Sequence, residues 1–170
     1  MSRIRNLAFA AAALLLISAP LSAEAASKVL RARLTGDQEV PAKVTKASGQ
    51  AHFQVSQDEA QVEFRVNVVS IENVVAAHIY LGAPGEVGTI VATLYGPVTP
   101  GGGKATGVLA SGTITSANLV GSLAGRPMSE LLTAMRSGNA YVNVITDDGA
   151  GAPDEKPGDF ASGEIRGQIQ

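Results

Sequence analysis

Two stretches, "GQAHFQVSQ" (49–57) and "AQVEFRVNVVS" (60–70), alternate apolar and polar residues with a period of two. In the first, Ala51, Phe53 and Val55 share one face against Gln50, His52 and Gln54; in the second, Val62, Phe64, Val66 and Val68 oppose Glu63, Arg65 and Asn67. Successive side chains point to opposite sides only in an extended chain, so each stretch reads as a strand with one buried and one solvated face. Such a strand cannot stand alone: its backbone needs neighbours and its apolar face needs a second layer. The intervening "SQDEA" (56–60) supplies the polar turn of a hairpin.

Further strands are predicted at 29–34, 75–81, 88–95, 107–115, 141–146 and 160–169. Short strands at close spacing, separated by turns rich in Gly, Pro and Asp, indicate an all-β sandwich or barrel. One segment breaks the pattern. In "RPMSELLTAMRSGNA" (126–140), Met128, Leu131, Leu132 and Met135 recur at helical spacing, Pro127 suits a first turn and Gly138 a left-handed cap. A short amphipathic helix closing one end of the β-structure is the reading.

The N-terminus carries Arg3 and Arg5, an apolar run over 7–17, and Ala23-Glu24-Ala25 with small residues at both positions that signal peptidase reads. Residues 1–25 are therefore expected to be a cleaved export signal and 26–170 a single domain. The run is too short for a membrane span, which needs roughly 20 residues, so no transmembrane anchor is expected in the mature chain. The destination is periplasmic or secreted. With no cysteine in the chain, the exported domain has no disulfide, thiolate metal site or thiol chemistry, and its core must carry the stability.

Charge and composition exclude other partners. The whole chain has a net charge of −2, and loss of Arg3, Arg5 and Glu24 makes the exported part slightly more acidic. Nucleic-acid binders present a basic face, and none is encoded here. Tryptophan is absent and aromatic residues are 4% of the chain, which leaves little for sugar-stacking or strand-binding platforms. "GPVTPGGGKATG" (96–107) fails as a phosphate loop, because Ala105 stands where a hydroxyl residue is required and Val98 where the first glycine belongs.

Few side chains are left for chemistry. In "VVAAHIYLG" (74–82), His78 and Tyr80 share one strand face. His52 is the only other imidazole, so copper or zinc would need carboxylates to complete its coordination. A Greek-key metalloenzyme of the copper/zinc superoxide dismutase kind needs many more imidazoles than two. Glu164 and Arg166 share a face of the last strand, either as a structural ion pair or cross-strand network or as a recognition patch in which the guanidinium fork takes a carboxylate. Asp147, Asp148 and Asp159 lie in an acidic loop that offers hard oxygen donors for calcium, although the spacing does not match the EF-hand template. There is no Gly-x-Ser-x-Gly elbow and no recognisable triad; no catalytic residue and no cofactor are assigned, and the chain is read as non-enzymatic.

Six ordered blocks carry a resemblance: "LTGDQEVPA" (34–42), "ASGQAHFQV" (47–55), "AAHIYLGAPGEVGTIVATL" (76–94), "GVLASGTIT" (107–115), "YVNVIT" (141–146) and "GEIRGQI" (163–169). Together they resemble the CHRD domain, named for the repeats of chordin and found also as single secreted domains in bacteria. The resemblance implies an antiparallel, Greek-key, immunoglobulin-like β-sandwich. By analogy with chordin it implies an extracellular interaction role with an unidentified protein partner. Where the family reads His-Ile-His this chain has His78-Ile79-Tyr80, and where it reads Asn-Val-His-Thr this chain has Asn143-Val144-Ile145-Thr146. One of three histidines is kept, so His78, Tyr80 and Asn143 are expected to order a strand end or line a shallow interaction surface. The alternative is a metal-binding β-sandwich holding copper, zinc or calcium.

Overall fold

The structure, a computed structural model, describes residues 28–170; the expected export signal lies outside them. Among the described residues eight strands form: β1 Val29–Thr35, β2 Ser48–Val55, β3 Gln61–Glu72, β4 Val74–Leu81, β5 Thr89–Tyr95, β6 Lys104–Thr115, β7 Ala140–Thr146 and β8 Ile165–Gln168. The α-helix found among the described residues, α1, spans Met128–Arg136. All strand pairs are antiparallel, so the all-β fold class holds.

The strands join into one continuous sheet of order β5-β4-β7-β8-β1-β2-β3-β6. Its two halves are stitched by a thin seam: β1 and β8 share the register pair Thr35–Arg166, and the backbones of Arg31 and Gln170 exchange two hydrogen bonds. The sheet coils back on itself, because apolar residues from both halves, including Phe53, Val66, Ile79, Val91, Val142 and Ile165, form one buried cluster. The period-two residues of β2 and β3 face this cluster as the alternation requires. β3 and β4 lie in opposite halves although only Asn73 separates them. The backbone turns there through a left-handed residue, Asn73 at φ 53°, a conformation asparagine tolerates better than most side chains.

Helix α1 follows its pattern. Met128, Leu131, Leu132 and Met135 are its buried residues, Pro127 precedes its first turn, and Gly138 lies beyond its end at φ 70°. Arg136 leaves the helix to donate to both carboxylate oxygens of Glu59 at 2.8 and 3.3 Å, tying α1 to the β2–β3 turn.

The last strand is shorter than the alternation predicts. Over 160–164 the chain is turned, and β8 begins at Ile165. Gly163 sits at φ 121°, a backbone conformation that residues with a side chain rarely adopt, and a β-carbon there would lie 2.0 Å from Asn143 Oδ1. The turn brings the 158–163 backbone down onto β7 and ends the ladder.

Candidate interaction site

In the half-sheet β5-β4-β7-β8, neighbouring residues alternate between faces except where the pairing of β4 with β5 and with β7 shifts register, and a set of polar side chains falls on the face away from the apolar cluster. The register sets Thr93, His78, Asn143, Arg166 and Thr35 in one row across five strands. A second row places Tyr80 beside Tyr141 and Tyr141 beside Gln168. Four residues singled out from sequence, His78, Tyr80, Asn143 and Arg166, therefore share one surface. His52 does not join them; it lies on β2 between Arg31 and Arg65, in the other half of the sheet.

The rings form a stack. Tyr80 lies parallel to Tyr141 with centroids 5.0 Å apart and an interplanar angle of 7°, and His78 meets Tyr80 edge-on at 6.1 Å. From the strand on the other side, the Arg166 guanidinium sits 3.5 Å from the Tyr141 centroid, a cation held against the electron-rich ring face. The Tyr141 hydroxyl accepts the Gly88 N–H at 3.0 Å. Arg166 is 2% exposed, and its fork donates to the carbonyls of Glu86 at 2.7 Å and Ala83 at 3.1 Å. These donors hold the 82–88 loop over the stack. Burial raises the Tyr80 phenol to about 12, with Tyr141 and Glu39 adding to the shift, and burial lowers the His78 imidazole below its ordinary 6.5. Both side chains are neutral at neutral pH. His78 Nδ1 lies 3.1 Å from the Thr93 hydroxyl.

Glu164 does not pair with Arg166. At 1% exposure, its carboxylate accepts the hydroxyl of Thr45 at 2.5 Å, the hydroxyl of Thr146 at 2.9 Å and the backbone N–H of Gly158 at 2.9 Å. It joins the 43–47 loop, β7 and the 157–163 turn. A buried carboxylate is tolerable when donors replace its water, and here three do. It also borders a groove of about 710 Å³ whose other walls include Val44, Ile71, Ala105 and Pro157.

Glu39 is the residue that the sequence reading passed over. It is 7% exposed; its Oε2 accepts the Asn143 side-chain amide at 3.3 Å, and that amide also donates to the Ser162 carbonyl at 3.1 Å. Glu39 Oε1 and Asn143 Oδ1 are buried without a partner among the described residues. Burial outweighs the positive charges of Arg166 and Lys43 and lifts the Glu39 carboxyl from 4.5 to about 7. The signal available in sequence was parity: Tyr141 and Asn143 share a strand face with each other, but nothing local places Glu39 above them.

Asp147, Asp148 and Asp159 do converge, with one oxygen from each within 4.8 Å of the others. Their carboxylates accept backbone N–H groups of Gly149 at 2.8 Å, Ala150 at 2.7 Å and Asp154 at 2.5 Å respectively. Lys156 stands beside them, its ammonium stabilised chiefly by Asp154 and then by Asp148 and Asp159.

Among the described residues no helix is long and apolar enough to cross a membrane. No curated protein and no solved structure matches the chain. A family model, the CHRD domain, matches residues 30–152, a span that holds Glu39, His78, Tyr80, Tyr141 and Asn143, while Glu164 and Arg166 follow it. With most of the chain matched and the all-β fold in place, this protein belongs to the CHRD domain family.

Proposed function

We propose that this CHRD-domain protein is an exported, non-enzymatic module that binds another protein of the envelope or extracellular space through the face bearing His78, Tyr80 and Thr93. The observation that carries the reading is how the polar row is used. Arg166, Asn143 and the Tyr141 hydroxyl are engaged in holding loops to the sheet, as is Glu164 beside the row through Thr45 and Gly158, whereas Thr93 is exposed and His78 and Tyr80 are part-exposed. What is offered to a partner is a neutral imidazole and a phenol on a stack fixed from below. Rigid aromatic side chains on regular structure suit contact surfaces, because little side-chain entropy remains to be lost on binding.

A photo-crosslinking residue in place of Tyr80 in the native envelope tests this. One discrete protein adduct, absent when the probe stands at exposed Gln54 on β2 and reduced by His78→Ala, supports the reading. Catalytic turnover abolished by His78→Ala would count against it, and a stoichiometric copper, zinc or calcium in protein purified without a tag would favour the metal-binding alternative. Export is checked by the mature N-terminus, which should begin at Ala26.

A further inference from the structure

The coiled sheet has two edges, β5 and β6, and they are treated differently. Beside β5, the backbone N–H of Val120 donates to the Val91 carbonyl at 2.9 Å. Gly121, at φ 57°, follows so close to Ile90 that a β-carbon there would lie 2.4 Å from its carbonyl oxygen. That edge is capped by the 116–123 segment. β6 has no such cover: among the described residues its ladder partner is β3 alone.

Beyond Lys104, β6 also lacks two of the usual devices against strand addition, charge and proline. From Ala105 to Thr115 it reads "ATGVLASGTIT", without charge and without proline. The two register irregularities with β3 fall between Val66 and Asn67 and between Val68 and Ile71, so 110–115 pairs with 61–66 without a break. Ser111, Gly112 and Thr113 are exposed. A straight, uncharged, six-residue edge remains open.

We propose that this edge pairs with the same edge of a second copy, antiparallel about a two-fold axis at Gly112. The outer face of the sheet selects both the occupant and the register. Arg65 lies beside Ser111 and Glu63 beside Thr113, and all four side chains are exposed. Centred on Gly112, the pairing sets Ser111 opposite Thr113 of the second copy. Each cross-dimer row then runs from Arg65 to Glu63 of the second copy across three strand spacings, about 14 Å between backbones. Centring on Ser111 would instead align Arg65 with Arg65, and centring on Thr113 would align Glu63 with Glu63. Self-pairing at Gly112 thus places opposite charges in the same row twice, as a two-fold interface requires, and brings no like charges together.

Sedimentation of the purified protein over a dilution series reads the outcome. The expected result is a dimer that dissociates on dilution. Ser111→Lys with Thr113→Lys sets lysine opposite lysine and should weaken the dimer by at least about tenfold; the matching double glutamate variant should do the same. An equimolar mixture of the two should recover a one-to-one dimer. Arg65→Glu, on the neighbouring strand, should weaken association several-fold, and adding Glu63→Arg should restore it. A wild-type protein that is monomeric at every concentration overturns the proposal. So does a dimer that neither the edge variants nor Arg65→Glu weakens, or a mixture of folded double variants that stays monomeric.

Discussion

The Arg166 guanidinium lies against the face of Tyr141, 3.5 Å from the ring centre, while Tyr80 covers the opposite side of the ring. The same guanidinium holds the Ala83 and Glu86 carbonyls. One side chain on the last strand therefore fixes both the platform beneath Tyr80 and the loop beside it.

Arg166→Ala should destabilise the protein by about 3 kcal/mol, by removing the ring contact and leaving carbonyls without donors. Arg166→Lys should recover less than half of that, because an ammonium lacks the planar fork that stacks and reaches two carbonyls at once. Urea unfolding of the three proteins is the measurement. Equal stability of Arg166→Ala and wild type would remove the stack from any account of the fold.

Glu39 imposes a pH dependence. In the unfolded chain its carboxyl ionises near 4.5, whereas burial holds it protonated to about 7 in the folded protein. Below pH 4.5 both states carry the proton and no penalty exists. As the pH rises from 4.5 to 7 the unfolded chain releases its proton first, so stability falls, and above 7 the loss is complete at about 3 kcal/mol. Glu39→Gln should abolish this slope: its stability relative to wild type should rise from near zero at pH 4.5 to a clear gain at pH 8. Parallel curves for variant and wild type would show that Glu39 ionises normally.

Glu164 accepts only from donors. Glu164→Ala strands two hydroxyls and one backbone N–H in the interior and should cost about 4 kcal/mol. Glu164→Gln should cost about 1 kcal/mol, since the amide oxygen can keep Thr146 and Gly158 while the amide nitrogen donates to the Thr45 hydroxyl, which can reverse its role. Denaturant midpoints that rank the two variants the other way would contradict the network.

Gly163→Ala combines a left-handed backbone with a contact of 2.0 Å to Asn143 Oδ1. The loss should exceed about 3 kcal/mol. Adding Asn143→Ala removes the steric part and leaves the backbone part, so the double-mutant cycle should show a coupling above about 1 kcal/mol. Additive losses would mean that the turn relaxes away from β7.

The alternation of residues 49–70 determined β2 and β3, down to which side chains face the core, because side-chain direction in a strand is a property of one residue and its immediate neighbours. The spacing of Met128, Leu131, Leu132 and Met135 determined α1 for the same reason, and the ordered blocks determined the family. Parity also put His78 with Tyr80, and Tyr141 with Asn143. It could not say that the polar face of this half-sheet would be roofed over. That was decided by contacts between residues far apart in the chain: Thr45 with Glu164, Glu39 with Asn143 and Glu86 with Arg166. Each one takes a side chain that alternation marks as solvated and gives it protein donors or acceptors instead of water. The joining of all eight strands into one sheet was likewise settled by the meeting of Thr35 and Arg166. A local pattern fixes the direction of a side chain; what lies in that direction depends on where the rest of the chain is brought by burying its apolar faces.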